Sequence, residues 1–217
     1  MISGARQARR ITRLTYEGLI ASAVARPYTL SNKAKLGKGL IWRMLDDGQK
    51  IYARRLSVAE IEHRIRHCWN PYHALVKEAL SQAYEQHGFF MHINCHSMPS
   101  VSDQYSTDQP GLVHPDIVLG DRDGTSADPE ITAHLQGSFL KYGYSCWINR
   151  PYKGVELIRA YSDPGSRRHS IQLEINRRLY MDEKSLERHR GYDWLRADLQ
   201  KILIDLQAFC EARYGSL

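Results

Sequence analysis

The stretch SIQLEIN, residues 170–176, constrains the fold more than any other part of the chain. Ile171, Leu173 and Ile175 alternate with Gln172, Glu174 and Asn176. That is the period of an extended strand with one apolar and one polar side. Glu174 lies mid-strand among apolar neighbours, where an unpaired carboxylate is costly. Such a group usually has a cation, a metal-bound water or an arginine beside it.

Other segments repeat the logic. FFMHINC, residues 89–95, reads as a strand; continued to His96, it puts His92, Asn94 and His96 on one side and Ile93 and Cys95 on the other. YSCWIN, residues 144–149, is a third strand. Helical patterns lie between them. Ser57-x-x-Glu60 forms a capping box, and Ile61, Ile65, Cys68, Tyr72, Leu75, Val76, Ala79 and Leu80 follow at helical spacing as one face of a long helix. This long helix is expected to stop near His87-Gly88. Asp128-Pro129-Glu130 opens another helix, running to about Tyr142-Gly143. A short helix is expected around 154–161. A final one runs from about Tyr192 to Tyr214, with Leu195, Leu199, Ile202, Leu203, Leu206 and Phe209 inward. Asp46-Asp47-Gly48, between two short apolar runs, signals a hairpin turn. Strands alternating with helices argue for an α/β fold with a largely parallel sheet.

Composition narrows the function classes. A chain of 217 residues suffices for one domain with a substantial core. It has no apolar run of membrane-spanning length and no secretory leader pattern. Cys68, Cys95, Cys146 and Cys210 are widely spaced with no CxxC pair, which favours reduced thiols in a cytoplasmic protein. Residues 1–50 hold ten of the 30 Lys/Arg and three of the 24 Asp/Glu, so the basic excess is confined to the N-terminal part. A nucleic-acid partner would rest on that segment alone, and is not expected. The expected division is a basic, disordered or displaced segment over 1–35 and a folded domain over 36–217.

The strand edges offer the chemistry. His96 sits at the carboxyl end of its strand, the edge where open α/β sheets bind ligands. It suits a metal ligand, a general base or a core histidine. Ser97 is disfavoured as a nucleophile, because strand neighbours point to opposite faces and no GxSxG elbow occurs. His63 and His67 have the i, i+4 spacing of a helical metal pair, but without HExxH a solvated face explains them better. GKG at 37–39 lacks the rest of a phosphate loop. The residues alone thus define a soluble α/β protein with a polar site around His96 and Glu174.

A family resemblance sharpens this. KGLIWR at 38–43, IYARRLSVAEIE at 51–62, WNPYH at 69–73 and NCHSMPS at 94–100 resemble segments of the N-formylglutamate amidohydrolase family. PDIVLGDRDGTSADP at 115–129, NRPYKGVELIRAYSDP at 149–164 and HSIQLEINRRLYMDE at 169–183 continue it in order. The resemblance implies a three-layer α/β/α sandwich with a mixed, mostly parallel sheet of the zinc-exopeptidase type. It implies hydrolysis of N-formyl-L-glutamate, or a similar N-acyl amino acid, to formate and glutamate, the last step of one histidine-degradation route. It assigns His96 as a zinc ligand and Glu174 as the general base. Arg159, Lys153 and Arg177 become candidates to pair with substrate carboxylates, for which arginine's fork is suited.

Some family features are not found in this sequence. The family draws its first two zinc ligands from an N-terminal segment with a P-H-S-G motif. Residues 1–30 contain no histidine, and Glu17 is their only acid. Asn94 stands where the family has an aspartate. The missing ligands would then come from residues such as His63, His67, His92 or His114. Otherwise the chain is a diverged homologue without a full zinc site, acting as a binding module or a remnant. A sheet lacking its N-terminal strands would expose an edge, so residues 1–30 are expected to cover it, or the chain to self-associate.

Overall fold

The computed structural model describes residues 35, 37, 39–45, 48–103 and 109–215. The expectations for residues 1–30 lie outside them. The chain divides into two compact units, Met1–Ala53 and Arg54–Leu217. In the first, Met44 and Lys50 form an antiparallel bridge and Gly48 takes φ 84°, as the hairpin signal predicts.

The second unit opens with α1 (Val58–Arg64), a π-helical turn (Ile65–Trp69) and α2 (Asn70–His87). Ser57 Oγ accepts from Glu60 N–H, and the Glu60 carboxylate accepts from Ser57 N–H, the reciprocal cap read from the sequence. The π turn ends two residues before Pro71, which has no N–H and whose ring crowds the carbonyl four residues earlier. Gly88 ends the helix at φ 71°. No residue of α1, the π turn or α2 is buried, and Trp69, Tyr72 and Leu75 are 41%, 51% and 67% exposed. Helical periodicity gives the apolar stripe but not what lies against it.

Next come β1 (Phe90–Met98), β2 (Ile117–Gly120), α3 (Pro129–Lys141), β3 (Cys146–Ile148), α4 (Glu156–Tyr161), β4 (Arg168–Asn176) and α5 (Gly191–Tyr214). Among the described residues the sheet order is β1-β4-β2-β3. The β1–β4 and β2–β3 pairings are parallel and β4–β2 is antiparallel. The α/β class with a mixed, mostly parallel sheet is therefore observed. Asp128 caps α3 by accepting from Glu130 N–H, with Pro129 in the first turn, as the sequence indicates.

The core sits on one face of the sheet. Ile117, Leu119, Ile171, Leu173 and Cys146 meet Ile131, Leu135 and Phe139 of α3 and Ile202, Leu206 and Cys210 of α5. Each fully buried aliphatic side chain contributes roughly 1.5–3 kcal/mol. Leu203, expected inward, is 45% exposed. The α2 helix and α4 lie on the other face. Tyr84 meets Phe90 edge-on and Ile158 is fully buried.

Candidate functional site

The alternation that buries Ile171, Leu173 and Ile175 against α3 and α5 turns Ser170, Gln172, Glu174 and Asn176 to the opposite face. On β1 the same parity presents His92, Asn94 and His96. The parallel register sets His92 opposite Ser170, Asn94 opposite Gln172 and His96 opposite Glu174. The result is a polar ladder across two strands, flanked on the β2 side by Val118, opposite Glu174.

The rungs are tightly bonded. His92 Nδ1 and Ser170 Oγ are 2.8 Å apart, and burial pushes the His92 pKa below the ordinary value. His96 Nδ1 lies 3.6 Å from Glu174 Oε1, and Asn94 Nδ2 lies 3.0 Å from His96 Nε2. Glu174 is 5% exposed and accepts from Gln172 Nε2 at 2.7 Å. Gln172 Oε1 in turn accepts from Val155 N–H at 3.1 Å.

The 149–155 segment arches over this face. Gly120 makes the close approach possible, because a Cβ there would lie 2.6 Å from Gly154 N and 2.7 Å from Lys153 C. Asp121, buried at 4% exposure, knits the segment down. It accepts from Asn149 Nδ2 at 2.6 Å, Gly124 N–H at 2.8 Å and Thr132 Oγ1 at 2.9 Å.

The sequence-predicted residues divide into two groups. The fold brings His96 and Glu174 together. Lys153 and Arg159 instead point outward, their side chains both 61% exposed, and pair with Asp123 at 2.9 Å and Glu156 at 2.7 Å. Arg177 follows Asn176 at the end of β4. Its Nε is buried without a hydrogen-bond partner among the described residues and lies 3.7 Å from Glu183 Oε1. Glu183 is itself held by Ser100 N–H at 2.9 Å and by the Ser100 hydroxyl. Sequence reasoning missed Glu183 and the Val155–Gln172 link. Alternation marks Gln172 as facing the site, but nothing in the sequence joins it to residue 155.

A catalytic zinc needs about three protein ligands. All ten histidines and all four cysteines are among the described residues. Among those residues, no three His, Cys, Asp or Glu side chains are grouped so as to hold a metal ion. The acids beyond them are Glu17, Asp46, Asp47 and Asp108. The described residues therefore do not fit a three-donor zinc site at His96, and His63, His67, His92 and His114 do not complete one.

Known proteins place this geometry in context. The chain is 30% identical over 186 residues to the N-formylglutamate deformylase of Pseudomonas aeruginosa, covering 82% of this chain and 67% of that protein. It is 30% identical to the Pseudomonas putida N-formylglutamate deformylase, covering 67% of this chain and 54% of that one. It thus spans about two thirds and about half of these relatives. The crystal structure of N-formylglutamate amidohydrolase from Ralstonia eutropha JMP134 superposes with a TM-score of 0.77 at 40% identity, covering 88% of this chain and 68% of that one. A gene product of Agrobacterium tumefaciens shares the fold alone, with a TM-score of 0.58 at 14% identity. Residues 20–181 match the N-formylglutamate amidohydrolase family, and the chain belongs to that family.

Proposed function

We propose that the chain hydrolyses the formyl amide of N-formyl-L-glutamate, releasing formate and glutamate. One observation carries the reading: the buried Glu174 carboxylate faces the His96 imidazole at 3.6 Å near the carboxyl ends of two paired strands. Family membership supplies the substrate class. In this reading Glu174 takes a proton from water as its oxygen bonds to the formyl carbon. It returns that proton to the amide nitrogen as the C–N bond breaks. Arg177, at the end of the same strand as Glu174, pairs with a substrate carboxylate. If the zinc implied by the family were bound, His96 is the described residue that would give it a donor, and zinc would polarise the formyl oxygen.

A second reading is ligand binding without turnover. It is favoured by the absence of a three-donor metal group among the described residues. One experiment separates the two. Purified protein is assayed for formate release from N-formyl-L-glutamate, with and without added zinc, beside Glu174→Gln. Turnover reduced about a hundredfold or more by the substitution supports hydrolysis with Glu174 as base. Substrate binding with no formate under either condition refutes it and leaves the second reading.

A further inference from the structure

We propose that Gln172 is a positioning residue: it aims the Glu174 carboxylate and ties that aim to the segment arching over the site. The proposal rests on the assignment of Glu174 as the base.

The geometry fixes the direction of every bond. Gln172 is 2% exposed on the polar face of β4. A buried primary amide is costly unless both its ends are satisfied. Val155 N–H can only donate, so the atom it meets at 3.1 Å is the Gln172 carbonyl oxygen. The amide nitrogen must therefore face Glu174 Oε1, at 2.7 Å, the length of a charge-assisted bond. A flipped side chain would set N–H against N–H at one end and oxygen against carboxylate at the other. The side chain thus has one orientation, dictated by the backbone at residue 155.

The consequence is mechanical. Val155 is the residue before α4, and it follows directly on Lys153 and Gly154, the pair that pack against Gly120. Any shift of that segment moves Val155 N–H and, through Gln172, the oxygen that receives the water proton. Glu174 faces Gln172 on one side and His96 on the other, so its carboxylate is held between two strands rather than by its own rotamer alone. Small displacements of a catalytic group cost roughly 10- to 100-fold in rate, as does loss of a bond that orients one.

The alternative is that Gln172 only satisfies Val155. Two substitutions distinguish the roles. Gln172→Glu keeps an acceptor for Val155 N–H but faces Glu174 with a second carboxylate. Gln172→Met removes both bonds at similar volume. If Gln172 positions Glu174, both variants lose kcat roughly 10- to 100-fold with KM within about threefold. Wild-type kcat in Gln172→Glu, or a loss confined to KM and melting temperature in Gln172→Met, overturns the proposal. A second readout does not need turnover. The Gln172 side-chain N–H₂ resonances in the wild-type protein are expected to be downfield and slow to exchange, and to shift in Glu174→Gln. Fast-exchanging resonances, unmoved by Glu174→Gln, overturn the bond itself. If the wild type releases no formate, the hydrolase reading fails and this spectroscopic result alone decides whether Gln172 holds Glu174.

Discussion

Asp121→Ala is expected to cost about 3 kcal/mol. The side chain is 4% exposed and accepts from three donors of unequal standing. Thr132 is buried, so its hydroxyl loses its carboxylate partner with little access to water, a penalty of about 1–3 kcal/mol. Asn149 is half-buried and recovers part of its bond from solvent. Gly124 is exposed and recovers most. Arg122, Asp123 and Asn149 hold φ of 56°, 59° and 56° around this carboxylate. Relaxing that backbone returns a fraction of the loss, since such residues store roughly 1 kcal/mol or more each. For a chain of this length, about 3 kcal/mol lowers the melting temperature by roughly 6–12 °C. Asp121→Asn keeps one carbonyl oxygen for Asn149 and Gly124, and the Thr132 hydroxyl can rotate to accept from the new amide. Its cost should be under half as large. Urea unfolding at fixed pH measures both. A loss below about 1 kcal/mol in Asp121→Ala, or equal losses in the two variants, refutes the reasoning.

Gly120→Ala is expected to push the 152–154 segment outward, because its Cβ would meet Lys153 C at 2.7 Å and Tyr152 O at 2.9 Å. Formate release should fall along with melting temperature, while Gly137→Ala, in open space on α3, should gain about 0.5–1 kcal/mol. Stability should also decline in acid through His169. This residue is 1% exposed, its Nδ1 accepts from Asp128 N–H at 3.2 Å, and burial depresses its pKa. The unfolded chain takes up the proton first, so this contribution is full above the ordinary imidazole value of 6.5 and is lost as the pH falls from there through the folded value. His169→Asn should flatten the difference in urea midpoint between about pH 8 and about pH 5.

The parts of the fold that announce themselves in the sequence are those with a local cause. Ser57 and Glu60 cap each other, Asp128-Pro129 starts a helix, and Gly88 stops one. The β2 strand was not legible, because Ile117–Gly120 is buried on both sides and so shows no alternation. Four apolar residues between Asp116 and Asp121 suit several structures equally. The apolar stripe of α1 and α2 was legible but its partial exposure was not, because periodicity is a property of one helix, whereas burial belongs to a pair. At the site, the shared parity of His96 and Glu174 was readable, but their pairing joins residues 78 positions apart in sequence. Lys153 and Arg159 were chosen for charge type alone, and charge type does not reveal Asp123 or Glu156 beside them.

The alignment of His96 with Glu174 depends on two separate constraints. A slip of β4 by one residue would turn Gln172 and Glu174 into the apolar layer of Ile131, Leu135 and Phe139, at several kcal/mol for the carboxylate alone. The core thus forbids odd slips. A slip by two keeps every face correct, yet it carries Glu174 about 6.6 Å along the sheet, away from His96. Hydrophobic patterning cannot forbid that. Bonds at the strand's ends can. Asn176 N–H donates to Asp116 O at 2.9 Å and its side-chain amide donates to Pro115 O at 2.9 Å. At the other end, Phe90 N–H donates to Arg167 O at 3.1 Å and Ser170 N–H to Ser126 O at 2.7 Å. The fully buried Asn176 thus fixes β4 against the segment entering β2, while the Phe90–Arg167 bond fixes β1 against β4 and so sets which residue His96 faces.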